Sequence, residues 1–332
     1  MNNTKRRRAV IAGIGHSVPD RVLTNRDLEQ IVETNDEWIV QRTGIRERRM
    51  CREDETCSQL AIQAGREALA SSGIAPEDID IVIVGTVTGD MMFPSVSCMV
   101  QSALGCTRAG AFDVGAACAG FIYALANASA LLESGQFQRA LVIGVDTLTK
   151  LINWSDRATC VLFGDGAGAV VLEAREDTDR GVLKTVLMAD GSGAKHINLE
   201  VGGTLHPVCK PGWELYRTTI FMSGAEVYRF AVTAMGDACL RVLDQVGMTP
   251  KDVDLFVPHQ ANLRIITSAS EKLGLSPEQV FMNVEKYGNT SGGSIPLALY
   301  EAVECGRLKP GMVVMTVGFG AGLVWGANLI RW

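Results

Sequence analysis

The chain alternates apolar runs with polar breaks marked by glycine, and the alternation repeats. Residues 68–85, ALASSGIAPEDIDIVIVG, read as a helix end, a Gly stop, a Pro-initiated acidic turn and an unbroken apolar run. Residues 242–259, VLDQVGMTPKDVDLFVPH, give the same signals in the same order. A short continuous apolar run predicts a strand buried on both faces, and the Gly–Pro–Asp punctuation predicts where helix gives way to strand. A second pair, ESGQFQRALVIGVD (133–146) and ECGRLKPGMVVMTV (304–317), again ends a helix at Gly and enters an apolar strand. A third pair couples AFDVGAACAG from residue 111 with VFMNVEKYGNTSGG from residue 280, each a strand leading through small residues into a helix. The halves close on GAGAVVLEA (166–174) and WGANLIRW (325–332).

Strands alternating with helices in two like halves predict a duplicated α/β chain, residues 1–174 and 175–332, with helices between and outside two sheets. Long polar, Gly-rich loops are expected at 34–56 and 190–220. Ligands of open α/β sheets collect at the carboxyl ends of strands. Three polar residues fall at such ends: Cys118, His259 and Asn289. The repeat sets Cys118 and Asn289 at corresponding ends of the halves, where a pseudo-twofold axis would bring them together.

Composition narrows the class. The chain has 332 residues, 47% of them hydrophobic, enough for a sizeable core. No apolar run reaches the ~18 residues of a membrane span. The start, MNNTKRRRAVIAG, is basic, but its apolar stretch is short and has no small-residue cleavage site, so it reads as a first strand and the cytoplasm is expected. Nine scattered cysteines without a CxxC pair suit a reducing compartment. Four histidines in no metal-binding pattern leave no metal site expected. A net charge of −6, with no basic run beyond Lys5–Arg8, makes nucleic acid a poor partner.

Cys118 sits in GAACAGFIYAL, where an extended run turns into a helix with Phe121, Leu125, Ala128 and Leu132 at helical spacing. A thiol at a helix start feels the positive end of the dipole, which lowers its pKa; the plainer reading is a packed core cysteine. A lone His is most often structural, and Asn in YGNTSGGS is most often a turn or cap. The strings FGDGAG (163–168) and GFGAG (318–322) lack the GK[ST] ending of a phosphate loop and read as turns beside strands. Together the three polar residues make chemical sense. A thiolate takes an acyl group as a thioester. If His and Asn both donate hydrogen bonds, they form a site for a developing enolate oxygen and permit loss of CO₂ from a malonyl thioester without a strong base.

The strings DEWIVQRTGIRERR, AFDVGAACAGFIYAL, FGDGAGAVVLE, PHQANLRII, YGNTSGGSIPLAL and GAGLVWGANLIRW resemble β-ketoacyl-acyl-carrier-protein synthase III, from about residue 9 to the C-terminus. The resemblance implies the thiolase-like fold, a duplicated five-layer α/β/α/β/α arrangement. It implies that Cys118 is the nucleophile for an acyl-CoA, and that His259 and Asn289 stabilise the malonyl-derived enolate. The backbone N–H groups of Cys118 and Ala321 would form the oxyanion hole; the family commonly has Gly at the latter. Trp38 and Arg157 match residues that sandwich the CoA adenine, and Arg42 matches a CoA-phosphate contact. Phe93 matches a residue that closes the partner's acyl pocket in a homodimer. Arg229 and Arg264 fall where the acidic carrier protein docks, on a face this chain makes less basic by placing Glu271 before Lys272.

The expected reaction is a decarboxylative condensation of a short acyl-CoA, acetyl-CoA first, with malonyl-acyl-carrier protein. CoA is a substrate there, with no resident cofactor and no membrane or nucleic-acid partner. The alternatives are a related initiating ketosynthase or acyltransferase of the same fold, using another acyl-CoA or malonyl-CoA in secondary metabolism, and a non-catalytic CoA binder. A thiolase is disfavoured because GFGAG carries no second cysteine.

Overall fold

The computed structural model describes residues 7–332, so the basic start at 1–6 lies outside the described residues. One sheet contains β1 (Arg7–Ser17), β2 (Ile81–Gly85), β3 (Gly110–Val114), β4 (Arg139–Thr147) and β5 (Asp165–Glu176), in spatial order β1-β5-β4-β2-β3. The other contains β6 (Gly181–Ala189), β7 (Leu255–Pro258), β8 (Val313–Gly320) and β9 (Val324–Arg331), in spatial order β6-β9-β8-β7. The strand directions correspond as well. β2 runs parallel to β4, while β4–β5 and β5–β1 are antiparallel. β7 runs parallel to β8, while β8–β9 and β9–β6 are antiparallel.

The main helices are α1 (Asp36–Thr43), α2 (Cys57–Ser72), α3 (Val96–Leu104), α4 (Gly120–Glu133), α5 (Gly224–Asp244), α6 (Leu263–Leu273) and α7 (Ser294–Glu304). α2 and α3 cover one face of the first sheet, meeting Val82, Val84 and Ile143. α4 and α7 lie between the sheets, with Ile81 and Ile83 on one side and Leu255 and Val257 on the other. α5 and α6 cover the far face of the second sheet, meeting Phe256, Met315 and Val317. These are the five expected layers. They explain why the strands read as unbroken apolar runs: odd and even positions both face helices. Phe121 and Leu125 of α4 are 0% exposed, and a Phe truncated to Ala at such a site costs about 3–5 kcal/mol.

Three expectations need correction. The strand expected from residue 280 shrinks to a parallel bridge between Phe256 and Val280. Gln260 replaces the rest of the ladder: its Nε2 donates to Pro258 O (2.7 Å) and Phe281 O (3.4 Å), and its Oε1 accepts from Asn283 N (2.9 Å). The Gly-rich strings lie mostly within β5 and β8 rather than in turns. A Cβ on Gly168 would stand 2.6 Å from the Leu297 backbone N, so bare backbone is what lets α7 pack there. The expected loop at 34–56 holds α1, capped by Asn35 Oδ1 on Trp38 N (2.8 Å), and a short ladder of Val22–Thr24 with Glu47–Arg49. The segment 190–220 carries 3₁₀ turns and Ile197–Asn198, which pairs with Phe221–Met222. Among the described residues, no helix is long and apolar enough to cross a membrane.

Candidate active site

Cys118 lies in a 3₁₀ turn, Ala117–Ala119, that leads directly into α4. Ala117 opens the turn at φ +45°, a left-handed conformation costing about 1–3 kcal/mol in a non-glycine residue. Gly85, at the end of β2, presses on the start of α4 so closely that a Cβ there would meet Gly120 C at 2.4 Å. The second half repeats the device. Ser291 has φ +49°, the 3₁₀ turn is Ser291–Gly293, and α7 follows from Ser294. The position matching Cys118 is therefore Gly292, and Asn289 stands three residues earlier.

His259 follows β7, its backbone N–H bound to Val317 O (2.7 Å), and is 1% exposed. Its Nδ1 lies 2.6 Å from Ser294 Oγ. Ser294 Oγ also accepts the Gln260 N–H (3.4 Å); with the hydroxyl proton given to Nδ1, the ring proton stands on Nε2. Nε2 is buried without a protein partner. Burial pushes the His259 pKa down to about 3, so the ring is a neutral donor at physiological pH. Asn289 is held by its backbone, N–H to Leu162 O (2.8 Å) and O from Gly164 N (3.0 Å), and its Oδ1 accepts from Ser291 N (2.8 Å). With the carbonyl oxygen engaged, the carboxamide has its N–H groups to offer.

Cys118, His259 and Asn289 all line one apolar cavity of about 430 Å³. The Cys118 thiol runs against the expected direction. Burial, joined by the Asp146 carboxylate, pushes it up to about 12, with the Ser291 hydroxyl acting the other way. Ser291 Oγ is near both groups without closing a hydrogen bond of good geometry. Ala321 lines the same cavity, and a Cβ on neighbouring Gly320 would stand 2.7 Å from Cys118 N, so this loop backs directly onto the nucleophile's amide.

Trp38, Arg42 and Arg157 line the exposed side of the cavity. Both guanidinium groups already stack on the indole, Arg42 at 4.3 Å and Arg157 at 5.0 Å from the ring centroid. A planar base placed between Trp38 and Arg157 has to displace the Arg157 guanidinium, which is held by Glu33 O (3.1 Å). Asn262, the cap of α6, donates to Arg42 O (3.0 Å) and fastens this wall to the His259 segment. Phe93 does not line the cavity of its own chain and is 82% exposed. Arg264 is exposed, 5.8 Å from the Tyr228 ring centroid, whereas Arg229 is ion-paired with Glu226 and Lys272 with Asp237. Of the proposed docking cations, only Arg264 presents its charge without a carboxylate partner among the described residues. Sequence reasoning missed Asp146, Ser291, Ser294 and Phe319, which meets His259 edge-on at 5.5 Å. An Asp closing the otherwise apolar run 140–146 was the one available signal.

Residues 112–191 match the model of the 3-oxoacyl-[acyl-carrier-protein] synthase III family, and residues 243–332 match the model of its C-terminal region. The chain is 50% identical to the β-ketoacyl-[acyl-carrier-protein] synthase III of Symbiobacterium thermophilum, over 97% of each chain. It belongs to the β-ketoacyl-acyl-carrier-protein synthase III family. The solved 3-oxoacyl-[acyl-carrier-protein] synthase III of Aquifex aeolicus superposes with a TM-score of 0.91 at 44% identity, covering 98% of this chain and 100% of that one. The priming β-ketosynthase of the R1128 polyketide pathway superposes with a TM-score of 0.92 at 36% identity, covering 99% and 98%. The chain is thus a condensing acyltransferase with the thiolase-like fold, and its half-buried thiol in one cavity with His259 and Asn289 fits that chemistry.

Proposed function

We propose that the chain starts fatty acid synthesis by a two-step acyl transfer on Cys118. In the first step the Cys118 sulfur attacks the thioester of a short acyl-CoA. The amides of Cys118 and Ala321 hold the carbonyl oxygen, and the thiol proton leaves with CoA. The helix start beneath the sulfur favours the developing thiolate. In the second step malonyl-acyl-carrier protein loses CO₂ while the Nε2–H of His259 and the carboxamide of Asn289 hold the enolate oxygen. The enolate carbon attacks the acyl-Cys118 carbonyl, the new C–C bond forms, and the Cys118 thiolate departs and takes a proton from water. The neutral, partnerless Nε2 of His259 in the cavity of Cys118 carries this reading: a neutral donor suits decarboxylation, which needs no base.

Trp38, Arg42 and Arg157 would receive the CoA nucleotide, and Arg264, aided by Arg229, the carrier protein. CoA enters as a substrate and no resident cofactor is called on. A homodimer is supported by the exposed loop Met91, Met92 and Phe93 (53, 73 and 82% exposed) beside the free edge of β3, an apolar tip that costs less when covered. The cytoplasm suits nine free thiols. The test is the intact mass of the protein after brief incubation with a panel of acyl-CoAs, with Cys118→Ala alongside, followed by malonyl-acyl-carrier protein. A Cys118-dependent adduct that converts to a 3-ketoacyl product upholds the reading and names the priming group; no adduct overturns it. Branched and longer acyl groups belong in the panel, because a priming enzyme of a polyketide pathway shares this fold.

A further inference from the structure

Asp146 is fully buried at the end of β4, yet among the described residues no cation faces it. Its Oδ1 accepts from Thr86 Oγ1 (3.0 Å), Val87 N (3.0 Å) and Thr88 Oγ1 (2.9 Å), and its Oδ2 accepts from Gly292 N (2.9 Å). One carboxylate thus ties the segment after β2 to the turn that follows Asn289. Gly292 is the counterpart of Cys118 in the second half, so its N–H corresponds to the amide assigned to the oxyanion hole. The internal repeat singles Asp146 out a second time: Ile81 pairs with Ala140 as Leu255 pairs with Val314, so the matching residue is Gly320, which has no side chain and stands against Cys118 N. Only the first half carries the carboxylate, and it spends it on the second half's turn.

We propose that Asp146 is a positioning residue for condensation: by fixing Gly292 it holds the Ser291–Gly293 turn, and through the Ser291 N–H on Asn289 Oδ1 it aims the Asn289 carboxamide at the enolate. An acceptor is required at Oδ2, because a backbone N–H cannot reverse its role. The turn has no slack to find another partner. A Cβ on Gly144 would stand 2.1 Å from Gly292 O, and a Cβ on Gly292 would stand 2.9 Å from Gly85 O. The titratable groups facing Asp146 are Cys118, from the turn before α4, and Cys57, from the start of α2; burial raises both thiols and the Asp146 charge adds to it. Burial raises the Asp146 carboxyl too, against the hydrogen bonds it accepts; replacing it removes one cause of the raised Cys118 thiol while the geometry needed by Asn289 is lost. The two half-reactions should part company.

This inference rests on the condensing reading above. The experiment is Asp146→Asn, which keeps the volume but turns an amide N–H₂ or a charge-free oxygen toward Gly292. Acylation and condensation are measured separately across pH, by intact mass and by product formation, with secondary structure and melting checked. The expected result is condensation at least about tenfold slower, the scale of one misdirected donor or more, with the acid limb of acylation moved to lower pH. Parallel loss of both steps, an unmoved limb, or parental condensation overturns the role. Asp146→Ser, smaller and still an acceptor, serves if the Asn variant is not soluble; if neither folds, Asp146 is a folding element and the proposal fails. A parent enzyme that forms neither adduct nor product defeats the condensing reading itself, whatever Asp146 does.

Discussion

His259→Ala separates the two steps of the reaction most directly. His259 Nε2 has no protein partner, so its hydrogen bond is available to substrate, and the ring is neutral because burial holds its pKa near 3. Asn289 remains as the second donor, held by its own backbone contacts. Loss of one oxyanion donor costs about 2.7–4 kcal/mol, or 10²–10³ in rate. Truncation also frees the Ser294 hydroxyl from Nδ1 and removes the ring edge against Phe319, about 1 kcal/mol each at most, which falls on stability rather than on the enolate. Acylation relies on the amides of Cys118 and Ala321 and should stay within about threefold of the parent, the scatter of a neighbouring-site change. The assay is a single-turnover adduct measurement by mass, then CO₂ release on adding malonyl-acyl-carrier protein to the pre-acylated enzyme. Condensation within threefold of the parent, or acylation falling as far as condensation, would refute the assigned role.

Three further outcomes follow from the same geometry. Gly320→Ala places a Cβ 2.7 Å from Cys118 N and 3.0 Å from Ala117 Cβ, so acylation should fall at least about tenfold in a folded protein, the lower bound for a damaged oxyanion hole; unchanged acylation rates would show that the amide lies elsewhere. Trp38→Ala removes the platform on which Arg42 and Arg157 stack, and should raise KM for acyl-CoA about tenfold with kcat little changed, since stacking on one ring is worth about 1–3 kcal/mol. In acid, His259 adds a stability slope. Its folded pKa of about 3 lies below the unfolded value of about 6.5, so the unfolded chain binds the proton first. The contribution is intact above pH ~6.5 and is lost at about 1.4 kcal/mol per unit as pH falls toward 3. Denaturant melts of the parent and His259→Gln should diverge in slope over that window, the raised carboxyls of Asp146 and Asp165 being common to both.

What was legible in the sequence was whatever the local pattern carries. Apolar runs opened by Gly–Pro–Asp fix buried strands and their order, because a strand covered on both faces has no polar alternation to hide. Cys118, His259 and Asn289 stood out because each breaks such a pattern at a strand's end. The rest depends on what lies across the fold. The strand expected at 280 gave way because the Gln260 side chain serves as its ladder, a long-range substitution no periodicity announces. The glycines of β5 were read as turns because their purpose, the approach of Leu297, is 129 residues away by number from Gly168. The direction of the Cys118 shift was misread for the same reason: the helix start is local and visible, while burial and Asp146 are tertiary.

The pseudo-twofold relation also explains why each chemical group occurs only once. Where the two turns meet, one member of each matched pair is a glycine. Cys118 is matched by Gly292, and His259 by Gly85. Ser294, which holds the His259 ring, is matched by Gly120, against whose backbone Gly85 packs. The backbone contacts around the axis are too close for side chains on both members: Gly85 against Gly120, and Gly144 against Gly292, would each force a Cβ to within 2.4 Å of another chain segment. In the second half His259 and Ser294 fill the space that Gly85 and Gly120 leave out. A symmetric site with two thiols and two imidazoles would not pack. Duplication supplied two equivalent strand ends, and close packing at the axis forced them to divide the chemistry, with the nucleophile on one half and the enolate donors on the other.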